Sequence, residues 1–162
     1  MLIPVFAKDV YLSSPGEVGN LMAAGGIGGI LSSILIASLS SETRRGIILI
    51  VIGIATGIGL FMMATINLFF IGIIGMIILG FSETGRWSLG QALMMSNADE
   101  EYRARVISLL MMSWGLMPLS MLPMSWAFGY FGAEITTLFT AVITLLFAIS
   151  SLIWARALVK IK

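Results

Sequence analysis

The stretch LFFIGIIGMIILGFSETGRWSLGQALMMSN, residues 68–97, decides how this chain reads. From Leu68 to Ser82 it carries no charge, then Glu83 and Arg86 enter, followed by Trp87, Ser88 and Gln91. A strand of a membrane barrel alternates apolar and polar residues over about 10 positions. This run does not alternate, and it exceeds the roughly 20 residues that a helix needs to cross the hydrocarbon core. It therefore predicts a membrane helix with an acid and a base in its interior. A charge there costs a few kcal/mol or more, so such groups face an interior or a watery cavity. Glu83 and Arg86 are three positions apart, which puts them on one helix face where they can pair. Gln91, eight positions after Glu83, falls near the same stripe. Two readings of the stripe stand side by side. Either Glu83, Arg86, Trp87 and Gln91 line a substrate or proton pathway, or Arg86 snorkels to the interface and Glu83 neutralises it.

The rest of the chain has the same character. Of 162 residues, 59% are hydrophobic and 10% are charged. A soluble domain carries about 25% charged residues. The mean hydropathy is +1.06. These values exclude a disordered chain, a secreted disulfide scaffold and a nucleic-acid binder, the last because net charge is only +1. The charges fall into islands, and between them lie five apolar runs at 18–40, 46–65, 68–97, 105–130 and 133–158. The fold expected is all-α, a polytopic membrane protein of five transmembrane helices. The connections are short, which favours antiparallel neighbours.

The opening run, 1–7, is apolar and closed by Lys8 and Asp9. It is too short to span a bilayer. It reads as the end of a further helix, so the chain is expected to be a piece of a longer protein, a short interfacial stub being the other reading. Five spans put Arg44, Arg45, Arg103, Arg105, Arg156, Lys160 and Lys162 on one side. Lys8, Glu17, Asn67 and Glu134 fall on the other. The positive-inside rule makes the basic side, and with it the C-terminus, cytoplasmic.

Small residues recur at helical spacing: Gly25 with Gly29, Gly28 with Ser32, Gly53 with Gly57. In lipid this spacing marks close helix packing far more often than ligand contact. The run 105–130 carries Pro118 and Pro123, each removing a backbone hydrogen bond and predicting a kink. The last run is expected to face lipid apart from Thr136, Thr137 and Thr140. Enzyme chemistry finds no footing. There is no histidine and no cysteine, so no base serves Ser88 between its glycines and no zinc set exists. The lysines, Lys8, Lys160 and Lys162, sit at the chain ends. No metal or cofactor is expected.

Four stretches resemble the C-terminal half of a major facilitator superfamily transporter, closest to the bacterial drug and siderophore exporters related to the enterobactin exporter. They are LIPVFAKDV before a glycine-rich helix, SLSSETRRG, ADEEYRARVISL, and WGLMPLSMLPMSWAFGYFGA. The second resembles a loop motif whose aspartate is replaced here by Ser40 or Ser41. In the third, Ala104 stands between Arg103 and Arg105 where the family often has glycine. The resemblance implies that residues 1–162 match the end of helix seven through helix twelve of that fold, with the N-terminal half absent. It implies alternating access, proton-coupled export of small molecules of drug or siderophore type, and residence in the cell inner (plasma) membrane. Glu83, Arg86, Trp87 and Gln91 are then cavity residues of the tenth helix, and Arg44, Arg45, Arg103 and Arg105 belong to cytoplasmic gate loops. The implied partners are the bilayer, the N-terminal half and a small-molecule substrate. The competing expectation is a small non-transporting membrane subunit that packs against a partner through its glycine faces.

Overall fold

The computed structural model describes residues 15–39, 45–66 and 68–154. The regular structure among them is helical: α1 Pro15–Ala37, α2 Arg45–Thr65, α3 Phe69–Asn97, a 3-10 turn Glu100–Tyr102, α4 Arg103–Gly115 and α5 Met117–Trp154. Among the described residues, 4 helices are long and apolar enough to cross a membrane, at Gly16–Ala37, Arg45–Thr65, Phe69–Asn97 and Met121–Leu152. Helix is the expected outcome for such runs, because it satisfies every backbone polar group without water. α1 starts ahead of the apolar run at 18–40. Pro15 opens it, where a missing N–H costs nothing. Glu17 sits in the first turn, where the helix dipole is positive. The opening run with Lys8, together with Arg44, Asn67, Arg156, Lys160 and Lys162, lies outside the described residues.

Helix directions follow from which residues meet. A Cβ on Gly25 would touch Met76, one on Gly28 would meet Ile77 and Phe81, and one on Gly29 would meet Thr84. Both numbers rise together, so α1 and α3 run parallel and pack directly, skipping α2. Gly59 lies against Ile78 while Gly85 lies against Ile52, so α2 runs against α3. Gly53 faces Ala148 and Gly57 faces Leu145, so α2 also runs against the second part of α5. The lateral order is α1, α3, α2, α5. The core cluster of Leu21, Ala24, Met63, Met76 and Ala133 closes one end of the bundle. Arg45, Arg103 and Arg105 lie towards the other end, where α1 and α3 finish and α2 starts.

The small-residue spacing serves packing, as the sequence indicates. A Cβ on Gly28 would strike the Ile77 carbonyl, and one on Gly80 the Gly25 carbonyl. The two backbones touch, which is what small residues permit in lipid.

α5 is not one rod. Gly132 has φ 79 and ψ 167, a backbone conformation that glycine adopts freely and side-chain-bearing residues avoid. Across it, the Thr136 hydroxyl donates to the Ala127 carbonyl at 3.2 Å. An unbroken helix would hold those residues about 13.5 Å apart. The chain bends back sharply at Gly132, and the sequence boundary between the runs 105–130 and 133–158 falls at this turn. Pro118 sits just past the break between α4 and α5, where the Leu116 N–H bonds to the Ser113 carbonyl. Pro123 lies within α5.

One expectation needs correction. The last run does not simply face lipid. Thr136 and Thr137, the expected exceptions, are buried, but so are Ala141 and Ala148, and Leu145 seats on Gly57. Small side chains on α5 meet glycines on α2, and this match sets the buried face. In contrast, no described side chain between residues 103 and 131 is buried.

Candidate membrane-embedded polar site

α3 sets the site. Its buried stripe, Gly72, Gly75, Met76, Ser82, Gly85 and Leu89, follows helical spacing and faces α1 and α2. Glu83 and Arg86 fall off that stripe and turn outward, with 52% and 56% of their side chains exposed. Their depth comes from the α2 register. Gly85 lies across from Ile52 and Ile78 across from Gly59, so Glu83 is level with the middle of Arg45–Thr65. The acid and the base therefore sit near the middle of the long apolar α3 and level with the middle of α2.

The Arg86 Nη2 donates to Glu83 Oε2 at 2.6 Å. The Trp87 Nε1 donates to Glu83 Oε1 at 3.1 Å. Each carboxylate oxygen thus holds one donor, and all three groups come from neighbouring turns of one helix. The pair brings opposite charges together where an isolated one costs about 3 kcal/mol. Arg86 turns to Glu83 rather than toward the interface. The end of α3 is at Asn97. That end lies about 16 Å further along the axis than Arg86. Glu83 engages one guanidinium donor, and the fork has others for a ligand.

The sequence reading missed one member. The Trp87 ring lies 5.0 Å, centroid to centroid, from Trp114 at an interplanar angle of 37°. Trp114 stands at the end of α4, immediately before the break. A signal was present, because membrane tryptophans usually sit at the interfaces and Trp114 falls inside the run 105–130. Gln91 is exposed. Eight positions of helix carry it round the axis from Glu83, and it takes no part in these bonds.

The loop arginines are placed separately. Arg103 pairs with Glu100 at 3.6 Å, and the Arg105 guanidinium carbon stands 5.4 Å from the Tyr102 ring centroid. Both contacts stay within one link. Arg45 begins α2 at the same end of the bundle, and Arg44 lies outside the described residues. Among the described residues, no group of three acidic side chains comes together to hold a metal. The arrangement offers a carboxylate, a guanidinium with spare donors and two indole faces at mid-depth. Groups of this kind can bind and orient a ligand; they include no activated nucleophile.

The chain matches the family model of the Major Facilitator Superfamily over residues 1–160. No curated protein and no solved structure matches it. With helices long and apolar enough to cross a membrane and a family match along nearly its whole length, the chain belongs to the Major Facilitator Superfamily, a family of membrane transporters and not of enzymes.

Proposed function

We propose that this chain forms one half of a proton-coupled exporter of small molecules, of drug or siderophore type, working by alternating access in the cell inner membrane. The observation that carries the proposal is the Glu83–Arg86 pair, held at mid-depth and turned away from the packed face of α3. Transporter sites lie near the bilayer midplane, where two structural repeats meet. The outward pair is where a complementary N-terminal half would complete a cavity. Glu83 is the proposed coupling acid, Arg86 and Trp87 its neighbours along the pathway, and Gln91 a more distant lining residue.

In this proposal the chain crosses the membrane five times after the end of a sixth helix, corresponding to helices seven to twelve. The sharp bend at Gly132 supports counting residues 103–131 and 133–154 separately. The clustering of Arg45, Arg103 and Arg105 at one end supports a cytoplasmic C-terminus and a gate role for those loops. A non-transporting subunit would bury the pair among its own helices, and the exposure of both side chains speaks against it.

The experiment is Glu83→Gln in the full-length protein, with substrate efflux from vesicles driven by a pH gradient. At least a tenfold loss of pH-driven transport is expected, with unchanged membrane insertion. Transport at the original rate would remove Glu83 from coupling.

A further inference from the structure

We infer that Trp87 links Glu83 to the position of α4. The Glu83 carboxylate fixes the Trp87 indole, and Trp87 in turn holds Trp114 and so the end of α4 against the bundle. The purpose of such a link rests on the transport proposal; its geometry does not.

α4 lacks the usual means of staying in place. No residue of Arg103–Gly115 is buried. At its far end the Leu116 N–H reaches back to the Ser113 carbonyl as well as to Trp114, a tightening typical of helix ends. Pro118, with no N–H to give, follows. Within the described residues, little side-chain burial therefore holds α4 in place. Among the described residues, the ring contact that ties the end of α4 to α3 is Trp87 with Trp114 at 5.0 Å. A tilted aromatic pair adds attraction beyond the area it covers, which is enough to bias a weakly packed rod.

Trp87 is itself oriented, because its Nε1 is bonded to Glu83 Oε1 while Arg86 occupies Oε2. Any event that draws Glu83 away from the indole frees the ring and loosens the hold on Trp114. The cations of α4, Arg103 and Arg105, are at its opposite end. The nearer of them is about 13 Å from Trp114 along the axis. Trp87 and Trp114 are positioning residues here, acting on the placement of a helix.

The chain has no cysteine, so single labels can be placed at will. The test uses the full chain in lipid nanodiscs, with a spin label at Leu109→Cys on the exposed side of α4 and, separately, at Ile58→Cys on α2. Glu83→Ala removes the acceptor, Glu83→Gln keeps a carbonyl acceptor, and Trp87→Phe keeps a ring but removes the N–H. Glu83→Ala, Trp87→Phe and Trp114→Ala are expected to shorten the rotational correlation time at 109 at least twofold. Glu83→Gln is expected to match the parent, and the label at 58 to change in none. Equal values for Trp87→Phe and the parent would overturn the link, as would equal loosening by Glu83→Gln and Glu83→Ala. If a variant loosens both labels, the protein has loosened generally, and Trp87→Phe, the smallest change, decides. A response at 109 in a full-length protein that transports nothing counts against the transport proposal alone.

Discussion

The seam between α1 and α3 and the segment from Arg103 to Phe131 are built from similar residues and behave as opposites. Both are apolar and both contain glycines. In the seam, glycine removes the last atoms between two backbones: Gly28 lies on Ile77, and Gly80 on Gly25. In the second segment, a Cβ on Gly115 or Gly129 would meet nothing within 4 Å. Glycine is therefore a packing device only where another helix lies across from it. The contrast divides the molecule into a locked part, α1, α3, α2 and the end of α5, and a loosely held part that touches the polar site through Trp114 and the core cluster through Phe128.

The sharpest way to break the contrast is a bulky residue in the seam. Gly28→Leu sets a side chain against backbone atoms that have no rotamer to change. A loss of about 3 kcal/mol or more is expected, at the upper end of overpacking effects, read from thermal unfolding in detergent. Gly129→Leu, in the open segment, is expected to leave the midpoint nearly unchanged; equal effects at both sites would erase the distinction. Next comes the turn that joins the two parts. Gly132→Ala puts a Cβ on a residue whose φ is 79. This extended positive-φ conformation, which is essentially confined to glycine, is expected to cost that variant about 1 kcal/mol or more. Weaker helix signal and a lower unfolding midpoint are the readouts.

The smallest effect sharpens the picture of the locked part. The Ser32 hydroxyl is fully buried with no hydrogen-bond partner, beside Gly85. Ser32→Ala is expected to raise stability by about 1 kcal/mol, because it removes a polar group with nothing to bond. A fall in stability would show that the seam needs the oxygen as a spacer or as a bonding group.

Much of this was legible before any coordinates. The apolar runs and charge islands follow from what lipid demands of a spanning segment, so composition alone reveals them. The pairing of Glu83 with Arg86 follows from a spacing of three on one helix. The glycine pairs announced close packing, but the sequence did not say that α1 would choose α3 over its neighbour α2. Trp114 was missed for the same reason: its partner, Trp87, lies on another helix, and no local period links them. The last run was misjudged because alanine and leucine suit lipid and a neighbouring helix equally. Only the glycines of α2, far earlier in the chain, make Ala148 and Leu145 a buried face. Gln91 shows the limit of counting along a stripe, since two turns carry it out of reach of Glu83.

The direct contact of α1 with α3 also sets an order of events at birth. α1 cannot acquire its partner until roughly 60 further residues have been made, and synthesis at about 5–20 residues per second makes that a wait of roughly 3–12 s. Throughout that interval its notched face is without α3. The cell's insertion machinery must therefore release α1 before its α3 contact can form, or hold it until α3 arrives.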